Sequence, residues 1–268
     1  MIYRCPLCQQ ALSKQDKTWC CPANHRFDCA KEGYVNLLPV QKKKSNDPGD
    51  NKEMMFARRE FLNKGFYQGL SDKVNLLANE YSPDAKCGLD IGCGEGYYSN
   101  RLVESLPQDF TLYGVDISKS ALKYAAKRYP KIAFSVASAF DMPFPDNSFD
   151  FMLRIYAPSL DEELKRVVKS GGTLITVCAG PRHHFALKEL IYDNPKEHTD
   201  AASQIDGFDL VHQERILQQL TLTDEDDISH FLKMTPYNWK LTEQQKLALA
   251  KSGFSCELDF KVEVFRAQ

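Results

Sequence analysis

The sequence predicts an α/β protein: a Rossmann-like, mostly parallel sheet preceded by a small metal-binding domain. Three observations support this prediction. From residue 87 onward, short apolar runs alternate with amphipathic stretches, which is typical of a parallel sheet covered by helices. A glycine-rich loop follows the first of these runs, and Cys-x-x-Cys spacing opens the chain. Residues 254–264 alternate apolar and polar side chains, which predicts an antiparallel strand at the C-terminal edge of the sheet.

The N-terminal element is a cluster of potential metal ligands. Cys5 and Cys8 form one pair, and Cys21 and His25 form a second. Two such pairs complete a tetrahedral zinc site with no open position, which indicates one structural ion per chain. A segment this short buries little apolar surface, so metal binding would supply its folding free energy, on the order of 10 kcal/mol. Cys20 is a rival third ligand, but the proline after Cys21 repeats the Cys-Pro turn of the first pair and favours Cys21.

Composition sets the broad class. The chain has 268 residues, 43% hydrophobic and 26% charged, as expected of a globular protein with one large domain and a small appendage. It shows neither a secretory leader nor an apolar run that could span a bilayer, so we expect a cytoplasmic protein. Disulfides are then not expected. The remaining cysteines are interpreted as small buried hydrophobes: Cys29, Cys87, Cys93, Cys178 and Cys256.

We place the small domain at residues 1–36, a linker rich in turn formers at 37–52 and the large domain at 53–268. Helices are expected from residue 53 and up to residue 81. We expect seven strands in the large sheet; five of those that precede the C-terminal strand are assigned to 88–91, 111–115, 133–136, 151–155 and 173–178.

The charge is unevenly distributed. Residues 1–60 hold 11 Lys and Arg against 7 Asp and Glu, whereas the rest of the chain holds 23 against 29, so the net charge of −2 combines +4 and −6. The basic triplet at 42–44, together with Arg58 and Arg59, would attract a polyanion. A solvated linker explains the same charges equally well.

The segment that carries the chemistry runs from Asp90 to residue 97. Gly92, Gly94 and Gly96 follow a strand and precede a helix, so the backbone can approach a ligand closely. The spacing departs from the dinucleotide-binding Gly-x-Gly-x-x-Gly pattern. Asp90 is placed to accept from an ammonium group, and Asp116, which ends the next strand, to accept from ribose hydroxyls. A ligand with both an amino-acid ammonium and a ribose fits this pair.

These residues resemble the class I S-adenosylmethionine-dependent methyltransferases from Asp90 to the end of the chain. Residues 164–174 are similar to the helix, Gly-Gly turn and strand that follow the active-site strand in that superfamily, and residues 142–150 to its segment before strand four. The resemblance implies S-adenosyl-L-methionine as cofactor. Ser138 stands where many relatives carry an aspartate for the adenine amino group, so a hydroxyl or backbone contact would substitute.

A narrower resemblance, covering nearly the whole chain, is to the 23S ribosomal RNA guanine-N1 methyltransferases of the guanine 745 type. Residues 27–38, 47–50, 58–62, 154–158 and 180–183 are similar to segments of that family. The resemblance implies zinc on Cys5, Cys8, Cys21 and His25, and cofactor contacts that include Tyr67, Gly94, Glu95 and His183. It also implies a homodimer whose small domains flank a cleft for an RNA hairpin; neither DNA nor a membrane is expected as partner.

The expected reaction transfers a methyl group from the sulfonium to N1 of an extruded guanine. Tyr156, at the end of strand four, is a candidate to stack on that base, or else caps the core. N1 must lose its proton, and His183, Glu95 and water are alternative acceptors. Two other hypotheses stay open: a small-molecule methyltransferase, and a zinc-dependent RNA-binding or assembly factor that has lost catalysis.

Overall fold

The computed structural model describes residues 2–42, 49 and 51–268. Lys43 and Lys44 of the basic triplet, and most of the turn-forming segment at 45–50, lie outside the described residues. Within the described part of the chain, none of the helices combines the length and the apolar content needed to cross a bilayer.

Two sheets organise the chain. The small antiparallel sheet contains β1 (Tyr3–Arg4), β2 (Ala11–Gln15), β3 (Thr18–Cys20) and β4 (Arg26–Asp28), in that order. The strands of the large sheet are β5 (Val35–Asn36), β6 (Cys87–Ile91), β7 (Thr111–Asp116), β8 (Ala133–Val136), β9 (Phe149–Ile155), β10 (Val168–Ala179), β11 (Phe208–Leu222) and β12 (Phe254–Ala267). Their order across the sheet is β11-β12-β10-β9-β6-β7-β8-β5.

Helices cover this sheet. They are α1 (Lys52–Asn63), α2 (Gln68–Tyr81), α3 (Tyr97–Ser105), α4 (Lys119–Arg128), α5 (Asp161–Val167), α6 (Phe185–Ile191), α7 (Glu225–Met234) and α8 (Glu243–Ser252), with a 3-10 turn at Val40–Lys42. Local side chains start several of them: Asn51 accepts from the Met54 N–H at α1, and Ser118 accepts from the Ala121 N–H at α4.

The predicted fold class is confirmed, with mostly parallel strands and an antiparallel C-terminal strand. Two details of the prediction are wrong. The large sheet has eight strands, because Val35–Asn36 adds to the edge beside β8. The C-terminal strand β12 is not at the edge, because β11 pairs with it along its whole length.

Exposure of one face to solvent therefore does not explain why polar and apolar residues alternate in β12. From Asp259 onward its polar face is buried, although Ser255 is exposed: Asp259, Lys261 and Glu263 are each 3% exposed or less. The coil before β11 covers this face, where Ser203 donates to Glu263 and Lys261 donates to the Ala201 carbonyl at 2.6 Å. Buried charges that are paired in this way produce the same alternation as an exposed face.

The parallel strand order reverses at β6, which lies between β9 on one side and β7 on the other. In open α/β sheets, ligands bind beyond the carboxyl ends of the strands at such a point. The predicted glycine loop follows β6, Asp116 ends β7 and Tyr156 follows β9.

Candidate active site and metal centre

A cavity of about 640 Å³ opens at the carboxyl ends of β6, β7 and β9. Residues 234–237, after α7, form part of its wall. Of the residues predicted to bind the cofactor or act in catalysis, the following line it: Tyr67, Asp90, Gly92, Gly94, Glu95, Asp116, Ser138, Tyr156 and His183. Gly96 does not; it lies behind the loop as the N-cap of α3, with a positive φ of 81°.

The glycine loop passes against the end of β9. Gly92 has a φ of +71°, and a Cβ there would lie 2.4 Å from the Cβ of Ala157. Both the backbone conformation and the contact therefore require glycine at this position. The loop is held to β7 because the Gly92 and Cys93 N–H groups donate to the Val115 carbonyl at 2.8 and 3.0 Å.

Asp90 is a buried acid beneath the loop, 3% exposed. The Ser99 hydroxyl donates to its Oδ2 at 2.6 Å. Burial and, less strongly, the nearby Asp116 carboxylate raise the pKa of Asp90 to about 7 against the opposing effect of the Ser99 hydrogen bond. A cationic group bound at Asp90 would favour its ionised form, so the site suits an ammonium.

Asp116 is held in place at the end of β7 by backbone donors. The Gly94 N–H donates to its Oδ2 at 2.9 Å and the Ser118 N–H to its Oδ1 at 2.7 Å. These bonds fix the carboxylate in the cavity wall, and carboxylate oxygens are good acceptors for hydroxyl groups.

Ser138 lies in a turn that follows β8 and is closed by a bridge to Asp141. Its Oγ accepts from the Phe140 N–H at 3.1 Å, so its own hydrogen remains a donor. Phe140 also lines the cavity and is 49% exposed. A polar group and an open aromatic face next to each other suit a planar heterocycle.

Glu95 extends into the cavity without a hydrogen bond from the described residues to either carboxylate oxygen, although both oxygens are buried. Arg59 lies 3.5 Å from Oε1, and its guanidinium packs over the rings of Phe56 and Tyr124. Burial raises the pKa of Glu95, whereas Arg59 lowers it. This carboxylate has unused acceptor capacity facing the cavity.

Two tyrosine–histidine pairs form the opposite wall. The Tyr67 hydroxyl lies 2.9 Å from His184 Nε2, and the Tyr156 hydroxyl lies 3.3 Å from His183 Nε2. The two imidazoles stack at a centroid distance of 3.8 Å. Burial lowers the pKa of His183 to about 4, and lowers that of His184 too, so both rings are neutral near pH 7.

Two residues of this wall have left-handed backbone: Tyr156 at φ +55° and His184 at φ +56°. For non-glycine residues, such conformations cost on the order of 1–3 kcal/mol and cluster at functional sites. The Tyr156 N–H donates to the Val177 carbonyl at 3.0 Å, which helps to hold the tyrosine in this conformation.

Asp259 on β12 fixes the turn at 180–183 that carries His183. Its Oδ2 accepts from the Arg182 N–H at 2.9 Å, and its backbone N–H donates to His183 Nδ1 at 3.1 Å. A Cβ at Gly180 would collide with this carboxylate at 2.2 Å. Arg215 of β11 pairs with the buried charge, its Nε lying 3.0 Å from Oδ1.

Sequence reasoning did not assign Asp259 to the site. Its role depends on contacts with residues about 75 positions away, and the only local signal was a charged residue in an apolar strand. Tyr98, His198 and Tyr237 also line the cavity, and the sequence analysis did not assign them to the site either. His184 adjoins the predicted His183 but was not predicted to bind.

The predicted metal ligands come together in the small sheet. One donor atom from each of Cys5, Cys8, Cys21 and His25 lies within 4.8 Å of all the others. The shortest separations are 3.3 Å from His25 Nδ1 to Cys21 Sγ, 3.5 Å from Nδ1 to Cys5 Sγ and 3.5 Å between Cys8 and Cys21 Sγ. Tetrahedral zinc with bonds of roughly 2.0–2.3 Å requires similar spacings. Cys20 is not part of the cluster, in agreement with the choice of Cys21.

The metal-binding unit packs directly against the large sheet. Tyr3 contacts Trp19 within the unit, and it stacks on Phe144 and meets Tyr113 edge-on in the large domain. The Arg4 N–H donates to the Pro143 carbonyl at 3.0 Å. Cys5 and Cys21 belong to the same buried cluster as the apolar residues of β6 and β7.

Known proteins match both parts of the chain. A zinc-ribbon family model described as RlmA, N-terminal, matches residues 3–46, and a methyltransferase-domain model matches residues 89–172. The 23S rRNA (guanine(748)-N(1))-methyltransferase of Streptomyces fradiae is 32% identical over 245 residues, which are 88% of this chain and 85% of that protein.

Other matches are shorter or have lower sequence identity. A demethylmenaquinone methyltransferase of Bacillus licheniformis is 30% identical over 131 residues, 45% of this chain and 56% of that protein. The crystal structure of MccD protein aligns with a TM-score of 0.47 at 18% identity, covering 72% of this chain and 96% of that one. Because the Streptomyces protein is 32% identical over 88% of this chain, and both family models match, this chain belongs to the 23S rRNA (guanine-N1)-methyltransferase family.

Proposed function

We propose that this enzyme transfers a methyl group from S-adenosylmethionine to N1 of a guanine in 23S ribosomal RNA. One observation carries the proposal: a single cavity collects the glycine loop, both predicted acids and the end of β9, in a chain that also carries a Cys3His ribbon. A small-molecule methyltransferase would need the cavity but not the ribbon.

In this proposal, different cavity residues bind different parts of the methyl donor, S-adenosylmethionine. Asp90 lies beneath the loop and accepts from the amino-acid ammonium, and Asp116 accepts from the ribose hydroxyls. Ser138 and Phe140 receive the adenine, by a hydroxyl hydrogen bond and by ring contact. Tyr67, Glu95 and His183 complete the contacts that the family resemblance implies, and the N-terminal turn of α3 presents backbone N–H groups through the glycine loop.

The bound donor supplies an electrophilic methyl group on a sulfonium. The protein therefore has mainly to orient the guanine, exclude water and manage the N1 proton. Duplex RNA hides N1, so the base must come from a loop or be extruded. Tyr156 and His183 are the proposed catalytic residues, because they lie where the base would enter beside the glycine loop.

The zinc ribbon serves recognition of the RNA in this proposal. Residues 1–36 form the ribbon domain, 37–52 the connection and 53–268 the methyltransferase domain, although β5 and the buried Leu37 and Leu38 join the ribbon closely to the large sheet. A hairpin of the guanine 745 type is the proposed target, approached by a homodimer with two ribbons. A ribosomal substrate places the reaction in the cytoplasm.

The decisive experiment is transfer of tritium from labelled S-adenosylmethionine to unmodified 23S rRNA, followed by primer extension to locate the modified base. We expect incorporation and a single strong stop at a guanine in a hairpin. Transfer to a metabolite extract without transfer to RNA would contradict the proposal and favour a small-molecule substrate. Binding of RNA without any transfer would favour a non-catalytic assembly factor.

A further inference from the structure

We propose that the Tyr156 hydroxyl donates a hydrogen bond to O6 of the target guanine, and that His183 sets the direction of this bond. The inference rests on the proposed function. It assigns a role to the hydrogen of the Tyr156 hydroxyl. It follows from the direction of three hydrogen bonds in series, which begin at a backbone group whose direction cannot change.

The series begins at the backbone of β12. The Asp259 N–H is a fixed donor and lies 3.1 Å from His183 Nδ1, so Nδ1 must present its lone pair. The ring is neutral near pH 7, because burial holds the pKa of His183 at about 4. A neutral imidazole has one hydrogen, and here it must be on Nε2.

The second bond runs from this Nε2–H to the Tyr156 hydroxyl oxygen at 3.3 Å. Because the oxygen accepts from His183, the hydroxyl's own hydrogen points elsewhere. In the described part of the chain, no side chain or carbonyl accepts this hydrogen. Tyr156 lines the cavity, so this hydrogen is available to a ligand bound there.

The directions of these hydrogen bonds also decide whether His183 can accept the N1 proton. His183 Nε2 already holds a hydrogen and Nδ1 already accepts one, so the neutral ring has no lone pair free for the N1 proton. The ring is instead a donor that orients Tyr156. Burial raises the pKa of Tyr156 well above its ordinary value, so the hydroxyl keeps its proton throughout.

The position of Tyr156 places this donor next to the reaction. It directly follows β9, and the next residue, Ala157, touches the glycine loop so closely that a Cβ on Gly92 would overlap it. The left-handed backbone of Tyr156 turns its side chain toward His183 at this point. A base entering here meets the hydroxyl at the edge of the cavity that adjoins the loop.

Guanine presents O6 next to N1, and this makes a hydroxyl donor useful. When N1 loses its proton to water, the negative charge spreads onto O6, and a donor already aimed at O6 stabilises that charge. The N1 lone pair then forms the bond to the methyl carbon, and the electron pair of the broken carbon–sulfur bond stays on sulfur. The Tyr156 hydroxyl transfers no proton in this scheme.

The charged and titratable groups around the pair are contributed by several elements. Around His183 these are His184, Lys188, His198 and Asp259; around Tyr156 they are Tyr67, Tyr98, Cys178 and Asp259. Asp259 is paired with Arg215, and the neighbouring histidines have lowered pKa values. None of these histidines is expected to titrate above pH 7.

The test is Tyr156→Phe, which keeps the ring and removes the hydroxyl. We expect the single-turnover rate of RNA methylation at pH 7 to fall about 100-fold, the typical effect of losing one such donor. We expect the loss to shrink at alkaline pH, because hydroxide can deprotonate N1 without help from O6. Cofactor and RNA affinities should stay within about 2-fold, and Tyr192→Phe, outside the cavity, should retain the full rate.

A rate loss of equal size at every pH would overturn the O6 role and assign Tyr156 to stacking or packing. An unchanged rate would overturn it too. If the wild-type protein transfers no methyl group to RNA, the proposed function itself fails, whereas failure of the variant test alone removes only this inference.

A measurement that does not depend on catalysis tests whether His183 sets the direction of the Tyr156 hydrogen bond. Nitrogen-15 NMR of the histidine side chains in the full chain should show His183 neutral at pH 7, with its hydrogen on Nε2. A hydrogen on Nδ1, or a ring that becomes protonated above pH 6, would overturn the series even if Tyr156→Phe failed to fold.

Discussion

The metal cluster and the catalytic cavity are built from side chains of opposite character. In the cluster, the four donor atoms point at one another and leave no position for a substrate. In the cavity, Asp90 is buried with a raised pKa, and Tyr156 has strained backbone. Glu95 has two buried oxygens that accept no hydrogen bond from the residues that the structure describes. The cluster is built for stability, whereas the cavity retains groups that only a ligand can satisfy.

This difference predicts opposite effects of mutation on folding. Removing a metal ligand should destabilise the protein, because the metal supplies folding free energy. Removing Asp90 or Glu95 should stabilise the unliganded protein while weakening ligand binding, because burial disfavours the ionised form of each carboxylate and raises its pKa. The predictions below test this contrast from the largest effect to the smallest.

The largest effect is expected for Cys8→Ser. The variant should lose zinc and all RNA methylation, because the ribbon depends on four ligands to fold. If the ribbon serves recognition, cofactor affinity should stay within a few fold. Metal analysis, tritium transfer and calorimetry measure the three quantities.

Cys20→Ser is the matched control, since Cys20 is buried next to Cys21 but lies outside the cluster. It should keep its zinc and its activity. Equal loss of cofactor binding and RNA methylation in Cys8→Ser would instead show that the ribbon supports the catalytic fold. The packing of Tyr3 on Phe144 provides a route for that outcome.

The next effect is expected for Gly92→Ala. Its added methyl would lie 2.4 Å from Ala157, so the loop must shift at the point where it contacts the donor. Overpacking of this kind costs about 1–3 kcal/mol, and we expect cofactor affinity to fall about 10- to 100-fold by calorimetry. Gly171→Ala separates the effect of crowding from the effect of the positive φ. Gly171 has a similar φ of +74°, but nothing lies within 4 Å of the added carbon. Equal cofactor affinity in the two variants would contradict the crowding argument.

The same contrast explains what the sequence could predict. The metal ligands follow from spacing within 21 residues, and the cluster contains all four of them. The glycine loop with Asp90 and Asp116 follows from a strand–loop–helix pattern, and the cavity includes both acids. These features depend on local backbone geometry, which short motifs encode.

The remaining features depend on contacts between distant residues. The polar side chains of β12 suggested an edge strand, because alternation does not distinguish solvent from a buried network of ion pairs. Asp259 could not be assigned, since its partners lie on β11 and in the turn at 180–183. The direction of the His183 hydrogen bonds likewise requires the position of a backbone N–H in another strand.

Asp90→Asn should change stability and cofactor binding in opposite directions. A carboxyl whose pKa is raised to about 7 holds its proton more tightly in the folded state, so wild-type stability falls as pH rises from about 4 to 7. The variant lacks this loss, and above pH 7 its unliganded form should be more stable by up to about 4 kcal/mol. Urea unfolding at pH 4 and pH 8 measures the difference.

Cofactor binding tests the same carboxylate. Wild-type affinity should rise as pH increases through 7, because only the ionised form of Asp90 binds an ammonium strongly. Asp90→Asn should bind about 10-fold more weakly at pH 8 and lose this pH dependence. Asp84→Asn, an exposed control, should match the wild type throughout. A variant less stable than the wild type at pH 8 would contradict the idea that Asp90 is kept at a cost.

Glu95→Gln should show the smallest effect. As for Asp90→Asn, cofactor binding should weaken and the unliganded protein should become more stable. Glutamine keeps the volume and one acceptor oxygen, but it removes a buried charge whose nearest cation, Arg59, is 3.5 Å away. We expect cofactor affinity to fall about 5-fold, the difference between a charged and a neutral hydrogen bond, and the unliganded protein to become slightly more stable. Glu104→Gln, on the exposed face of α3, should change neither quantity. If Glu95→Gln destabilises the unliganded protein, the Arg59 pair contributes net stability, and Glu95 then belongs with the metal ligands as a structural residue.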